Sequence, residues 1–400
     1  MGEDRVWDVI VAGAGPAGAV AARELARRGL TVLMLEEHHE VGRPVQCAGL
    51  VTRRVFDAVP AQECIENSLS GGVLAAPSGR SIAFGGAGEK AVVIDRARFD
   101  RLAAGMAVDA GARLELGARV EGVADLPGRE HAVVQVAGRG GRRRLKARSV
   151  VGADGVQSVV GRSAGLRPPE EMLPGFEAEL AGVDCPEDAV RVLVGREVAP
   201  GFFSWLIPAG GRKAILGLCC EPGPVPARIR FENLLKNREL APFIGKAQVL
   251  RYYSGTVPVS TVKASFSGRV ALVGDAAGQV KPVSGGGLFT GTRCALALGE
   301  ALGPLLEKGC LDGKSLRAYE RRWKAELGRE LALGRRLRRA FVNVSDAQMD
   351  ELVRMLDRPA LLALVSERGD LDFPSKLAKL LFRQAPGLLK FAGPFIKSLF

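Results

Sequence analysis

Histidine is scarce in this 400-residue chain: only His38, His39 and His131 are present. The seven cysteines are odd in number and scattered, with no CxxC and no histidine at metal-ligand spacing. A disulfide framework and a metal site are therefore not expected, and a reducing cytoplasm is the expected compartment. No apolar run approaches the ~20 residues needed to cross a bilayer. Glu3 and Asp4 precede a first strand that begins by residue 8, which leaves no room for a signal or transit peptide. The net charge is +12, yet helix-turn-helix, zinc-finger and aromatic RNA-binding patterns are all missing, so no nucleic-acid partner is expected.

Acidic residues are absent after Asp372, whereas GRRLRR occupies 334 to 339. Beyond Phe373, Lys376, Lys379, Arg383, Lys390 and Lys397 interleave with Leu377, Leu380, Leu381, Leu388, Leu389, Phe391 and Phe395. Basic and apolar residues at helical spacing suit an anionic membrane surface. They equally suit a terminal helix docked on the core with a solvated basic side.

What the chain does contain is concentrated at its start. Residues 8 to 18, DVIVAGAGPAG, form an apolar β-branched strand that runs into Gly13, Gly15 and Gly18 and an alanine-rich helix. The first glycine permits a tight turn, the second lets backbone approach a pyrophosphate, and the third lets helix and strand pack closely. A second strand, TVLMLE, ends at Glu36, about 20 residues on, where a carboxylate can accept adenosine ribose hydroxyls. Together these elements predict a dinucleotide site.

Further along, 91 to 117 read as strand, helix, strand, and KARSVVGAD at 146 to 154 as a buried strand. Between about 170 and 262 the helical signal thins and β-like segments such as GFFSWLIP and KAILGLCC appear. The dinucleotide pattern returns at RVALVGDAAG, followed by a glycine-rich loop and a helix. From Ser315 the pattern is helical, with Ser345 and Gln348 spaced as a capping box. The predicted fold is α/β: a discontinuous Rossmann-type domain over 1–169 and 265–310, interrupted by a mixed, β-rich substrate domain over 170–264. A C-terminal helical region over 311–400 follows.

Three separated segments bear on one ligand: GAGPAG with Glu36, GADGVQSVVGR at 152 to 162, and ALVGDAAG with PVSGGG between 271 and 287. In that order the chain resembles the FAD-dependent flavoprotein monooxygenase superfamily, and within it the geranylgeranyl reductase family. VGRPVQCAGLV (41 to 51), IDRARFDRLAA (94 to 104), PGFFSWLIP (200 to 208) and ELGRELALGRRLRR (326 to 339) carry the closer likeness. The resemblance implies FAD as cofactor, held by Gly13, Gly15, Ala17, Gly18, Glu36, Cys47, Ala48, Arg96, Val120, Asp275, Gly287 and Leu288. Asp154 belongs to the same pattern or is a strand-end turn residue. The resemblance also implies an apolar prenyl pocket lined by Phe203, Trp205, Ile207 and Pro208, although Phe203 stands where the family often has an aromatic hydroxyl.

The implied chemistry is hydride transfer from reduced flavin to a C=C bond of a geranylgeranyl or polyprenyl chain, with a proton delivered to the neighbouring carbon. Cys47 is the candidate catalytic residue. It would relay the proton, pair reversibly with a cysteine such as Cys294, or fill space; an ordered water is the other candidate donor. No second GxGxxG is present, so NAD(P)H acting transiently, ferredoxin or another reductant are all open as electron donor, and a donor protein is a conceivable partner. The implied setting is cytoplasmic, at the membrane periphery, with an isoprenoid lipid as substrate. A monooxygenase acting on an aromatic or lipid substrate, and electron transfer to membrane quinone, are the alternatives.

Overall fold

The computed structural model describes residues 5–86, 88–125, 130–312 and 314–391, the side chain of Leu389 excepted. Phe395 and Lys397, counted above with the basic–apolar tail, lie outside the described residues.

The first strand, β1 (Val6–Ala12), has four buried residues in succession at its carboxyl end and pairs in parallel with β2 (Val32–Glu36) on one side and with Gly141–Gly152 on the other. Arg113–Leu116 and Val270–Leu272 extend this parallel core outward. Phe266–Ser267 closes one edge, and the hairpin strands Arg119–Ala124 and Ala132–Gly138 fold antiparallel onto Gly141–Gly152. Strand order reverses beside β1, and in such sheets ligands bind outside the carboxyl ends of the strands. The helix α1 (Pro16–Ala26) leaves β1 at this point. Its small residues bring it against helix Leu288–Glu307, where a Cβ on Gly299 would lie 2.5 Å from Glu24 Cβ.

The second sheet has seven strands in the order Gln248–Pro258, Met172–Ala181, Lys213–Cys219, Phe203–Gly210, Ala189–Val194, Gly71–Ala75 and Ser81–Gly85. Its last two strands come from before residue 170, and Gly71–Ala75 joins by parallel pairing to Ala189–Val194. Leu180, Leu206, Leu216 and Leu218 pack on one face with Phe231 and Leu234 of helix Ala227–Leu234. A three-stranded sheet of Leu50–Val51, Ala91–Ile94 and Ile65–Leu69 is drawn from the stretch that also supplies Gly71–Ala75 and Ser81–Gly85 to the second sheet. Its residues Leu69 and Val93 pack against Ile207 on the second sheet's other face.

The C-terminal region is helical, as the pattern predicts. Arg317–Trp323 continues through a π turn, Lys324–Gly328, into Arg329–Val342. The Ser345/Gln348 capping box is present at Asp346–Leu356. Before the helix Pro374–Gln384, a short strap is tied down by charge. Lys281 Nζ bonds Asp372 Oδ1 at 2.7 Å, Thr52 donates to the same carboxylate, and Arg54 bridges Asp370 and Asp372. Asp372 is 1 % exposed.

Candidate active site

Gly13 takes φ +96°, and a Cβ there would lie 2.4 Å from the Ala153 carbonyl oxygen. A Cβ on Gly18 would lie 2.1 Å from the Gly13 carbonyl oxygen, so this glycine is what lets α1 lie against the loop. Gly15 differs: a Cβ there meets nothing within 4 Å. Gly15 is also the N-cap of α1 and offers no side-chain cap, so no capping side chain occupies the helix N-terminus. A cradle with a bare backbone floor at a helix N-terminus fits a pyrophosphate. Ala17 packs between Gly274 and Gly291, with its Cβ 2.9 Å from where a Gly274 Cβ would stand.

Glu36 ends β2 and accepts the Ala14 N–H at 3.0 Å, which joins the acid to the glycine loop. Its other oxygen receives the His38 N–H at 3.0 Å and lies 2.7 Å from His38 Nδ1, a contact the sequence did not suggest. Val120 is buried in the cluster that contains Leu33, Leu35 and Ala12, at the carboxyl ends of β1 and β2. Asp154 is committed to a local cap: it accepts Ser158 Oγ–H at 2.5 Å and Val160 N–H at 3.0 Å.

The segment carrying Cys47 is pinned by two glycines in the left-handed region. Gly42 sits against Ala97 and Gly49 against the Ile94 carbonyl, 2.8 and 2.5 Å from their would-be Cβ atoms. Arg96, at the start of helix Arg96–Asp109, forms a two-pronged ion pair with Asp100 at 2.9 and 3.0 Å and lies within hydrogen-bonding reach of the Cys47 sulfur. Burial works against the guanidinium's charge, but Asp100 and Cys47 outweigh it and raise its pKa. Cys47 Sγ also accepts the Gly49 N–H at 3.4 Å. Cys294 is buried in the core cluster, and both cysteines are free.

Asp275 follows strand Val270–Leu272. It is exposed between buried Gly274 and Ala276. The surrounding protein raises its carboxyl's pKa, and Arg96 opposes the rise. Its Oδ1 lies 3.0 Å from where a Gly287 Cβ would stand, and Gly287 caps the helix that begins at Leu288. The loop is held from behind: Gly274 N–H donates to Gln279, Gln279 Nε2 to Tyr319 Oη, and Tyr319 Oη–H to the Leu272 carbonyl, at 2.8, 2.9 and 2.8 Å. Backbone N–H groups at the start of α1, the open side of Gly15 and the Asp275 carboxyl, an acceptor, together fit the pyrophosphate and hydroxyl groups of a flavin dinucleotide.

The other site element is the face of the seven-stranded sheet that packs on Leu69 and Val93. Phe203, Trp205 and Ile207 alternate onto it, with the Phe203 and Trp205 rings edge-to-face at 6.0 Å. Ala48, Leu50 and Trp205 all pack against the cluster of Leu69, Val93 and Ile207, and Gln46 Cβ lies 3.9 Å from where a Gly255 Cβ would stand, so the Cys47 segment borders this wall. Pro208 does not join it. Strand alternation puts it on the opposite face, paired with buried Ala214, while its carbonyl accepts Asn67 Nδ2 at 2.9 Å.

One residue of the wall was missed in the sequence. Glu177, on Met172–Ala181, is 8 % exposed and directly opposite Gly217, which in turn is opposite Trp205. A Cβ on Gly217 would lie 2.6 Å from both Glu177 Cβ and the Trp205 ring, so both side chains lean over the glycine. Burial raises the Glu177 carboxyl to about 7, against weaker opposing pulls from Arg96 and the Trp205 indole N–H. That indole N–H approaches the carboxyl without reaching full hydrogen-bond geometry, and its nitrogen is buried with no other partner.

Comparison with known proteins bears on the family and the cofactor. The model of an FAD binding domain matches residues 6–326. Digeranylgeranylglycerophospholipid reductase 2 of Methanopyrus kandleri is 34 % identical over 98 % of this chain and 100 % of its own length. The enzyme of the same name from Methanothermobacter thermautotrophicus is 32 % identical over 93 % of this chain and 98 % of its own. Among solved structures, a geranylgeranyl bacteriochlorophyll reductase-like protein of Thermoplasma acidophilum superposes with a TM-score of 0.86 at 24 % identity, covering 99 % of this chain and 98 % of that one. With a flavin cradle, an apolar sheet face and full-length relatives of one name, the chain belongs to the geranylgeranyl reductase family of FAD-binding oxidoreductases.

Proposed function

We propose that this protein is an FAD-dependent reductase that saturates C=C bonds in geranylgeranyl or related polyprenyl chains carried on lipids. The observation that carries the substrate class is the aromatic and aliphatic wall of Phe203, Trp205 and Ile207. An aromatic hydroxylase needs polar groups that orient a phenol, whereas Phe203, Trp205 and Ile207 present mainly ring and aliphatic carbon, with Glu177 and Tyr253 as polar neighbours.

When bound, FAD supplies hydride. The chain's own residues bind, orient and exclude water. Gly13, Gly15 and Gly18 with the N-terminus of α1 hold the pyrophosphate, and Glu36 takes the adenosine ribose. Arg96, fixed by Asp100, supports the Cys47–Ala48 segment beside the ring. Asp275 would take the ribityl or phosphate region, and the N–H groups of Gly287 and Leu288 would face the ring, where such donors favour negative charge. An isolated alkene offers no carbonyl to polarise, so the wall acts by holding the double bond in place.

The substrate is carried in a membrane, and the basic helix Pro374–Gln384 is the surface we assign to it. Ser375 is its one buried residue, while Leu377, Leu380 and Leu381 are half-buried and Lys376 and Arg383 exposed. Among the described residues, no helix is long and apolar enough to cross a bilayer.

The test is anaerobic. Reduced protein is mixed with geranylgeranyl lipid, and flavin reoxidation is followed while mass spectrometry counts hydrogens. Reoxidation with mass gains of about two per double bond is the expected result. Flavin that stays reduced until oxygen is admitted would overturn the reductase reading in favour of a monooxygenase.

A further inference from the structure

Saturating an alkene needs a proton as well as a hydride, and the groups expected to supply it are poorly placed. The Cys47 sulfur accepts the Gly49 N–H and faces the Arg96 guanidinium, so it is engaged as an acceptor. Phe203 has no hydroxyl, and all three histidines lie outside the wall. Among the described residues, Glu177 is the carboxyl buried within the wall itself.

Its placement is built by the sheet. Gly255 pairs with Gly175 across one strand boundary, and Tyr253 pairs with Glu177 in the same register. Gly175 adjoins Cys219, whose sulfur would lie 2.8 Å from a Gly175 Cβ. Gly175, Gly217 and Gly255 thus leave little side-chain bulk in this part of the sheet, with Gln46 near Gly255 and Glu177 and Trp205 leaning over Gly217. The groups facing Glu177 are Trp205, Cys219, Tyr253 and the more distant Arg96. None of them forms a salt bridge with it. Arg96 also acts on Asp275 and contacts Cys47, which puts Glu177 in the electrostatic neighbourhood of the flavin cradle.

We propose that Glu177 is the proton donor of the reaction, delivering its carboxyl proton to the alkene carbon next to the one that receives hydride. The inference rests on the reductase reading. In the step, the Glu177 O–H bond breaks and a C–H bond forms. The second C–H bond would form with the hydride that bound reduced FAD would supply, so the alkene gains two hydrogens, the flavin is oxidised, and Glu177 is left as the carboxylate. Water then reprotonates the carboxylate between turnovers. Burial keeps the carboxyl protonated up to about 7, which suits a general acid near neutrality.

Glu177→Gln preserves shape and removes the proton. In the holoenzyme it is expected to slow alkene-dependent flavin reoxidation by roughly 10²–10⁴-fold, with FAD loading and dithionite reduction unchanged. The rate of the wild type is expected to fall as pH rises through about 7, and that inflection should vanish in the variant. An infrared titration of flavin-free protein gives an activity-independent readout: a protonated-carboxyl band with a midpoint near 7 that Glu177→Gln abolishes and Glu177→Asp shifts. If Glu177→Gln does not fold, Glu177→Asp carries the same comparison through a displaced inflection. Wild-type rates with an unchanged pH profile in Glu177→Gln would overturn the proton-donor role while leaving the reductase reading intact. Wild-type flavin that no geranylgeranyl lipid reoxidises would sink the reductase reading and the donor role together.

Discussion

At the scale of single residues, two glycines of one loop do different work, and substitution separates them. Gly18→Ala drives a methyl group against the Gly13 carbonyl at 2.1 Å, so backbone must move. A loss of at least about 1–3 kcal/mol in flavin-free stability is expected, together with loss of FAD. Gly15 has φ −64° and no neighbour within 4 Å of its would-be Cβ. Gly15→Ala is therefore expected to melt within about 0.5 kcal/mol of wild type in the flavin-free form while binding FAD more weakly. Equal melting of the two variants, or normal flavin affinity in Gly15→Ala, would contradict the cradle. Glu177 makes a thermodynamic prediction at the same scale. Its carboxyl is raised from 4.5 to about 7, so between these values the native state keeps a proton that the unfolded chain has lost. Wild-type stability then falls with rising pH through that window relative to Glu177→Gln, and the gap, a few kcal/mol, is constant above it. Denaturant unfolding of the flavin-free proteins at pH 4.5 and pH 8 measures the difference.

At the scale of elements, the strap before the last helix joins distant parts of the chain. Lys281 belongs to the loop leading to the flavin helix, Thr52 and Arg54 follow the Cys47 segment, and all meet Asp372. Asp372→Ala leaves Lys281, 8 % exposed, without its buried partner and is expected to cost about 3–5 kcal/mol. The pair Lys281→Met/Asp372→Leu should recover most of that, since a packed apolar pair often matches a buried ion pair. Chemical denaturation of the three proteins decides the matter, and an unaltered midpoint in Asp372→Ala would discard the strap. The local parts of these elements were legible in the sequence. The glycine turn, the strand ending at Glu36 and the capping box each depend on residues a few positions apart. What was hidden depends on distant pairing. Glu177 and Glu179 alternate along their strand as solvent-facing residues do, and only Gly217 and Trp205 on neighbouring strands bury the first of them. Pro208 follows Ile207 in an apolar run, so composition cannot tell which face it takes.

At the scale of the whole molecule, the excess of cations has a direction. On the membrane reading proposed above, Lys376, Lys379 and Arg383 face anionic lipid from one helix. Deleting everything from residue 373 would be a poor test, because Phe373 packs edge-to-face on Phe289 and Ser375 bonds Glu330, so the core would suffer too. Reversing the three charges to Glu leaves those contacts in place. It should weaken binding to anionic vesicles by at least about 3 kcal/mol, roughly a hundredfold, with most of the wild-type affinity also lost in high salt. Cosedimentation with phosphatidylserine vesicles reads the effect; an undiminished bound fraction would remove this helix from the membrane.

The two large sheets are interleaved along the chain. Gly71–Ala75 and Ser81–Gly85 leave the first and enter the second, and Val270–Leu272 returns to the first after the second is finished. During synthesis, the second sheet cannot close until Gln248–Pro258 has been made, and the first not until Val270–Leu272 has followed it. The same threading bears on recombination. Exchanging residues 170–264 for the matching stretch of a relative would strand Ala189–Val194 beside an edge pair it was never selected to fit. Chimeras that alter prenyl specificity must therefore carry residues 71–85 with the transplanted sheet, so the substrate wall is inherited as two pieces of sequence.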